Sequence, residues 1–123
     1  MAIPPNLRVE QKDIVLDQNS SQGIRFIYHD LANLEVFIVG NFLKLIIRNT
    51  LDRDLANFRL KTYVTADFNT ADGTAILELT RAMVNALGVG NWVYQLQISS
   101  DNFVTDGQLT HQGKWIVRPS TGN

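Results

Sequence analysis

The stretch that decides the fold spans residues 75–117 and reads AILELTRAMVNALGVGNWVYQLQISSDNFVTDGQLTHQGKWIV. It begins with an alternating strand that ends at Leu79, and a helical pattern follows over residues 81–87. Thr80 can cap this helix because its hydroxyl accepts hydrogen bonds from first-turn amides, and Gly88 can take the positive φ that ends it. The next strand has the sharpest alternation in the chain, and we predict that its inward face places four residues in the core: Trp92, Tyr94, Leu96 and Ile98.

Short alternating strands separated by turn-forming residues lie on the N-terminal side of this stretch. Gly40-Asn41 predicts a hairpin between strands at residues 34–39 and 42–48, and Asp72-Gly73 predicts a second hairpin. Strands recur about every 10 to 14 residues, which is typical of a sandwich or barrel. The remaining predicted strands lie at residues 24–28, 58–66 and 114–117, with two short strands or one bulged strand within residues 7–16.

These features predict an all-β fold, an immunoglobulin-like antiparallel β-sandwich of about seven or eight strands. Its one short helix stands at the corner before the penultimate strand. The predicted sandwich domain covers residues 7–119, with an extended N-terminal arm at residues 1–6 and a C-terminal tail at residues 120–123. A chain of 123 residues supports one such domain, and its 45% hydrophobic content is enough for a continuous core. Trp115, in the last strand, is also predicted to lie in the core.

Composition and charge exclude several classes of function. The net charge is −1, whereas general binders of nucleic acid or of anionic membranes need a basic excess. The chain has no cysteine, so disulfides, thiolate metal sites and cysteine nucleophiles are excluded. The apolar runs are too short to span a membrane, and the first residues lack the apolar segment of a secretory signal.

The polar residues form no constellation that supports catalysis. His29 and His111 are each predicted to be solvated or locally hydrogen-bonded, and no serine stands in a nucleophile motif. The Asp52/Asp54 and Asp67/Asp72 pairs are best interpreted as solvated turn carboxylates, and a calcium ion bridging two loops is the alternative. We therefore expect a protein without enzymatic activity, catalytic residues, cofactor or metal.

Two regions are candidates for contact with other subunits. Pro4 and Pro5 favour an extended arm, which is either a frayed terminus or, with Ile3, a segment that reaches a neighbour. The strand at residues 42–48 is apolar on both faces, and a two-layer sandwich buries only one face of each sheet. Phe42 and Ile46, on the second face, are predicted to contact another subunit, the alternative being a cover supplied by the arm or the corner helix of the same chain.

Residues 79–99 resemble a pattern that recurs in small immunoglobulin-like structural proteins of tailed phages. A similar arrangement occurs in the N-terminal domain of the siphophage baseplate upper protein. The resemblance covers the last third of the chain well and the first half only in the rhythm of its strands. Val89 departs from the pattern, which often has proline there, and Trp92 replaces a Tyr or Phe. The matching residues are Leu79, Thr80, Ala86, Leu87, Gly90, Trp92, Tyr94, Leu96, Gly113, Trp115 and Val117.

The resemblance implies a structural or adaptor protein of a tailed-phage virion, made in the bacterial host cytoplasm. The tail, baseplate or fibre-attachment region is the expected location, with head decoration as an alternative. The expected partners are other virion proteins and further copies of the chain, as a trimer or hexamer, with no nucleic acid and no membrane. A carbohydrate-binding module that recognises a cell surface is the alternative from another class, since one fold hosts many roles.

Overall fold

A computed structural model describes residues 2–49 and 60–120 of the chain. The Asp52/Asp54 pair and the first two residues of the strand predicted at residues 58–66 lie outside the described residues. The elements in chain order are β1 (Glu10–Gln11), β2 (Ile14–Asp17), β3 (Gln22–Ile27), β4 (Phe42–Arg48), β5 (Leu60–Val64), a 3-10 turn (Thr65–Asp67), β6 (Phe68–Ala71), β7 (Thr74–Leu79), α1 (Arg81–Asn85), β8 (Gly90–Ser99) and β9 (Gln108–Arg118).

The strands form two sheets that pack as an immunoglobulin-like β-sandwich, so the predicted fold class is confirmed. The larger sheet has the order β1-β9-β8-β4-β5, with β2 also on β9, and the smaller sheet has the order β3-β7-β6. The pairing departs from a purely antiparallel sandwich, because β1 and β2 run parallel to β9. The N-terminal segment crosses from one sheet to the other. Leu7 bridges Asp30 beside the smaller sheet, and Glu10 already pairs with His111 in the larger one.

Alternating side chains of both sheets build one core between the layers. Trp92, Tyr94, Leu96 and Ile98 of β8 are all buried. Across the larger sheet they neighbour the buried Leu43, Leu45 and Ile47 of β4, and Trp115 of β9 is buried opposite Trp92. Burying one side chain of this size contributes about 1.5–3 kcal/mol, so this strand is a main source of stability.

The corner between β7 and β8 is built by local signals. The Thr80 hydroxyl accepts a hydrogen bond from Met83 N at 3.2 Å, and Gly88 has φ of 86°. Helix α1 ends at Asn85, two residues before the predicted end. At this corner Val84 and Leu87 are buried, whereas Ala82 and Ala86 are exposed.

The close approach of the N-terminal segment to β9 depends on Gly113. A Cβ at this position would lie 2.3 Å from the carbonyl oxygen of Lys12, so only glycine fits. Tyr94, the register partner of Gly113, donates a hydrogen bond from its hydroxyl to the same carbonyl at 2.5 Å. The bend between β1 and β2 is therefore fixed by Gly113, which leaves room for the Lys12 carbonyl, and by the Tyr94 hydroxyl, which bonds to it.

The strand and hairpin predicted around residues 34–39 are wrong. Backbone amides in this segment bond to separated loop carbonyls, Val36 N to Tyr28 O and Ile38 N to Asp72 O. β4 pairs instead with β5 and β8. The second predicted hairpin is present, since β6 and β7 pair across Asp72-Gly73. The strand before that turn, β6, was not among the predicted strands, and it forms because Phe68 packs into the core.

Candidate protein-interaction surfaces

The loop between β3 and β4 exposes four large apolar side chains. Their exposed fractions are 71% for Leu31, 64% for Leu34, 66% for Phe37 and 49% for Val39. Solvent exposure of single apolar residues is ordinary, but four within nine residues of one loop is a concentration that commonly marks a contact surface. We call these four residues the apolar loop surface.

The backbone beneath the apolar loop surface is held in place. The Asp30 carboxylate accepts hydrogen bonds from Ala32 N at 2.9 Å and Leu34 N at 3.0 Å, which closes the first turn. Further along, Ile38 is fully buried and anchors the loop in the core, and its amide bonds to Asp72 O at 2.8 Å. A partner that binds these side chains therefore orders little backbone, which reduces the entropic cost of association.

The loop between β8 and β9 lies at the same end of the sandwich. Phe42, the first residue of β4, pairs with Ser99, the last residue of β8, so both loops leave the sheet side by side. Val104 in this second loop is 79% exposed. The two loops together present an apolar end to solvent.

A hydrogen-bond network holds the second loop. The Asp106 carboxylate accepts from Ser99 Oγ at 2.6 Å and Ser100 N at 2.8 Å, and Asp101 accepts from the amide and hydroxyl of Thr105. Hydrogen bonds from Thr105, and then Ser99, lower the pKa of Asp101 to about 2, and those from Ser100 and Ser99 lower the pKa of Asp106. These carboxylates serve the loop itself, and the described residues contain no group of three ligands that could hold a metal.

The predicted contact residues of β4 have a mixed environment. Phe42 and Ile46 are half-buried on the outer face of the larger sheet. Ile46 lies between Thr62 of β5 and Gln95 of β8, and Lys44 places its Nζ 4.4 Å from the ring centroid of Phe103. On the outer face, Phe42 and Ile46 are thus apolar side chains among polar neighbours. A contact with another subunit through these two residues stays a prediction.

The N-terminal arm lies against its own domain. Ile3 packs on the core, and the Ala2 carbonyl accepts a hydrogen bond from the Asn41 side chain at 3.2 Å. Pro4 is half-buried, and Pro5 is exposed in a turn that ends at Asn6. Leu31 N bonds to Asn6 O at 2.9 Å, so the segment adjoins the apolar loop surface. A role of these residues in reaching a neighbour also stays a prediction.

The two histidines border one cleft of about 280 Å³. His111 lies within β9 and is only 2% exposed, so it is not solvated, and its Nδ1 lies 3.0 Å from Oγ1 of the neighbouring Thr110. Its Nε2 lies 2.9 Å from Ile27 O, and because a carbonyl can only accept, this nitrogen carries the proton. Burial lowers the pKa of His111 to about 4, so the ring is neutral at pH 7. His29 is half-buried, with Nδ1 3.7 Å from Glu10 Oε1.

The apolar loop surface was not predicted from the sequence. Val36 to Val39 is a run of apolar residues, which made a buried strand the natural interpretation. The useful signal was Asp30 followed by Asn33, because these residue types favour turns and left-handed backbone. Asn33 indeed has φ of 64°.

Comparisons with known proteins add a weak structural likeness. No protein-family model matches the chain, and no curated protein matches it. Among solved structures it is similar to the protein titled "Drosophila OTK, extracellular domains 3-5", with 14% identity and a TM-score of 0.34. The alignment covers 96% of this chain and 37% of that one, and at this score no functional argument follows from it. No helix within residues 2–49 and 60–120 is long and apolar enough to cross a membrane.

Proposed function

We propose that this chain is a non-enzymatic structural or adaptor protein that binds other proteins through the apolar loop surface. The observation that carries the proposal is the combination of four exposed apolar side chains with a hydrogen-bonded backbone beneath them. Such a surface is unfavourable in water and is pre-arranged for a partner.

The resemblance of residues 79–99 to phage structural proteins supports a place in a tailed-phage virion. The tail, baseplate or fibre-attachment region is our proposed location, with head decoration as the alternative. In such a particle the partners are other virion proteins and further copies of the chain, and tail symmetry favours a trimer or hexamer. Mass spectrometry of purified phage particles tests the location. If the chain is absent from the particle that the neighbouring genes encode, the proposed virion location is wrong.

A double substitution, Leu34→Ser with Phe37→Ser, tests the binding surface. Both side chains are exposed, so the free energy of unfolding is expected to change by less than about 0.5 kcal/mol. Incorporation into particles, or affinity for the neighbouring virion protein, is expected to fall about tenfold or more, because central apolar anchors carry most binding energy. Val15→Ser, which changes an exposed apolar side chain on β2 of the larger sheet, is the matched control. Equal incorporation of both variants would exclude the apolar loop surface as the contact.

A carbohydrate-binding module remains the alternative from another class. Stacking on sugars needs exposed aromatic rings, and both tryptophans are buried. Phe37 is an exposed aromatic ring in the loop, which is the observation that keeps this alternative open. A glycan array separates the two functions, because an adaptor leaves every glycan unbound.

A further inference from the structure

Strand β3 forms an edge of the smaller sheet, and its backbone faces outward at alternate residues. β3 pairs with β7 only, in the register that joins Gln22 to Leu79 and Ile27 to Thr74. Just beyond the strand, Tyr28 N bonds to Gly73 O, so the even-numbered residues direct their backbone groups to β7. The odd-numbered residues Gly23, Arg25 and Ile27 therefore direct theirs away from the sheet.

The N-terminal segment leaves this edge uncovered. Arg8 N bonds to His29 O, beside the end of β3, and the chain then crosses to the larger sheet. From there on its amides bond to β9, as Lys12 N does to Gln112 O and Gln18 N to Arg118 O. No backbone group of the described residues pairs with the outward edge of β3.

Side chains donate hydrogen bonds to two outward backbone carbonyls of β3, and no side chain of the described residues accepts from its outward amides. His111 Nε2 donates to Ile27 O at 2.9 Å, and Lys12 Nζ reaches Arg25 O at 3.4 Å. Within the described part of the chain, the amides of Gly23, Arg25 and Ile27 have no acceptor. Two clefts, of about 280 and 210 Å³, run along this edge, and Lys12 and Arg25 line both of them.

Cationic side chains outnumber anionic ones along the clefts. Arg8, Lys12 and Arg25 line them together with Glu10 and Asp13. Glu10 accepts from Arg8 at 2.9 Å, whereas Asp13 accepts from the backbone amide of Lys114 at 2.9 Å. The Glu78 carboxylate lies outside the clefts, over Gly23 on the outer face of the smaller sheet. Lys12 and Arg25 are exposed and have no carboxylate partner among the described residues. A second copy paired on the same edge would bring these cations together, and like charges on facing strands are destabilising. An acidic occupant is favoured by the same cations.

We infer that the free edge of β3 binds an extended acidic segment of a partner protein by strand addition. The amides of Gly23, Arg25 and Ile27 donate to carbonyls of the added strand, and Lys12 and Arg25 pair with its carboxylates. The long bond from Lys12 to Arg25 O is exposed and is given up at little cost. This site lies apart from the apolar loop surface, so the inference holds whether or not that surface binds the proposed virion partner.

The probe is an array of peptides of about ten residues in which every second residue is Asp or Glu, with no proline. The matched array carries Lys or Arg at the same positions. Peptides that bind are measured by fluorescence anisotropy, where affinity is expected to fall as ionic strength rises. Acidic peptides are expected to bind and basic ones to fail. If no acidic peptide binds, the cations serve only to keep the edge free of other strands, and the inference is wrong.

Two variants separate the backbone contact from the charge contact. Arg25→Pro removes an amide that faces away from β7, so the ladder with β7 is kept while the added strand loses a donor. Its reference is Arg25→Ala, which loses the same charge and keeps the amide. Lys12→Glu with Arg25→Glu reverses both charges and needs no unusual backbone. Each variant is expected to weaken peptide binding about tenfold or more. Lys61→Glu, on β5 at the far edge of the other sheet, is the control and is expected to bind normally. Unchanged affinity in the charge-reversed protein overturns the inference even if Arg25→Pro does not fold.

Amide hydrogen exchange read by NMR locates the contact. In the free protein, the amides of Gly23, Arg25 and Ile27 are expected to exchange fast and those of Ile24 and Phe26 slowly. A bound acidic peptide is expected to slow the first three and leave the other two unchanged. Protection elsewhere, with these three amides still exchanging freely, would show that the peptide binds another surface.

Discussion

Acidification is expected to destabilise the fold through the buried imidazole of His111. Burial lowers the pKa of this ring to about 4, whereas the hydrogen bond to Ile27 O and the charge of Glu10 act in the opposite direction. Lys12 and His29 also face the ring and add to the lowering. The unfolded chain binds the proton near pH 6.5, and the folded chain resists it until about pH 4. Acid therefore favours the unfolded state throughout that interval.

The magnitude follows from the difference between the two pKa values. A gap from 6.5 to about 4, at about 1.4 kcal/mol for each tenfold change in proton affinity, amounts to about 3 kcal/mol. About 2 kcal/mol of this is lost between pH 7 and pH 5, before most carboxylates titrate. For a domain of this size that is a large part of the total stability.

Urea unfolding at pH 7 and pH 5 measures the effect, with tryptophan fluorescence as the signal because Trp92 and Trp115 are both buried. His111→Gln is the control, since its side-chain amide can still donate to Ile27 O and does not titrate. The wild-type protein is expected to lose about 2 kcal/mol more than the variant between the two pH values. Equal losses in the two proteins would refute the assignment of the pH dependence to His111.

Three further predictions concern packing and assembly. Trp92→Ala is expected to cost about 3–5 kcal/mol in chemical denaturation, and a loss under about 1 kcal/mol would show that the ring is not a core residue. Gly113→Ala is expected to cost about 1–3 kcal/mol in thermal unfolding, because the new methyl group meets the Lys12 carbonyl, and unchanged stability would contradict that contact. Light scattering is expected to show a trimer or hexamer that Phe42→Ser with Ile46→Ser dissociates, and a monomeric wild-type protein would refute the outer sheet face as an interface.

Local chemistry was sufficient to predict much of the second half of the chain. Successive side chains of a strand point to opposite faces, so the apolar pattern of β8 predicts that Trp92 and Leu96 point inward, whichever strands pair with it. The corner was likewise local, because Thr80 caps α1 and Gly88 supplies the positive φ that follows it. The turn at Asp72-Gly73 needed no long-range information either.

Only the tertiary structure decided what lies beside each strand. Leu34 and Phe37 have the same apolar chemistry as buried residues, and their exposure follows from a loop whose amides bond to distant carbonyls. His111 is buried because the rings of Phe26 and Tyr28 pack against it and the Ile27 carbonyl bonds to it, which no neighbour in sequence reveals. The free edge of β3 exists because the N-terminal segment pairs with β9 instead. That choice depends on contacts between residues about a hundred positions apart, such as Asp13 with Lys114. Alternation determines which face of a strand is apolar, but long-range packing determines which strand covers it.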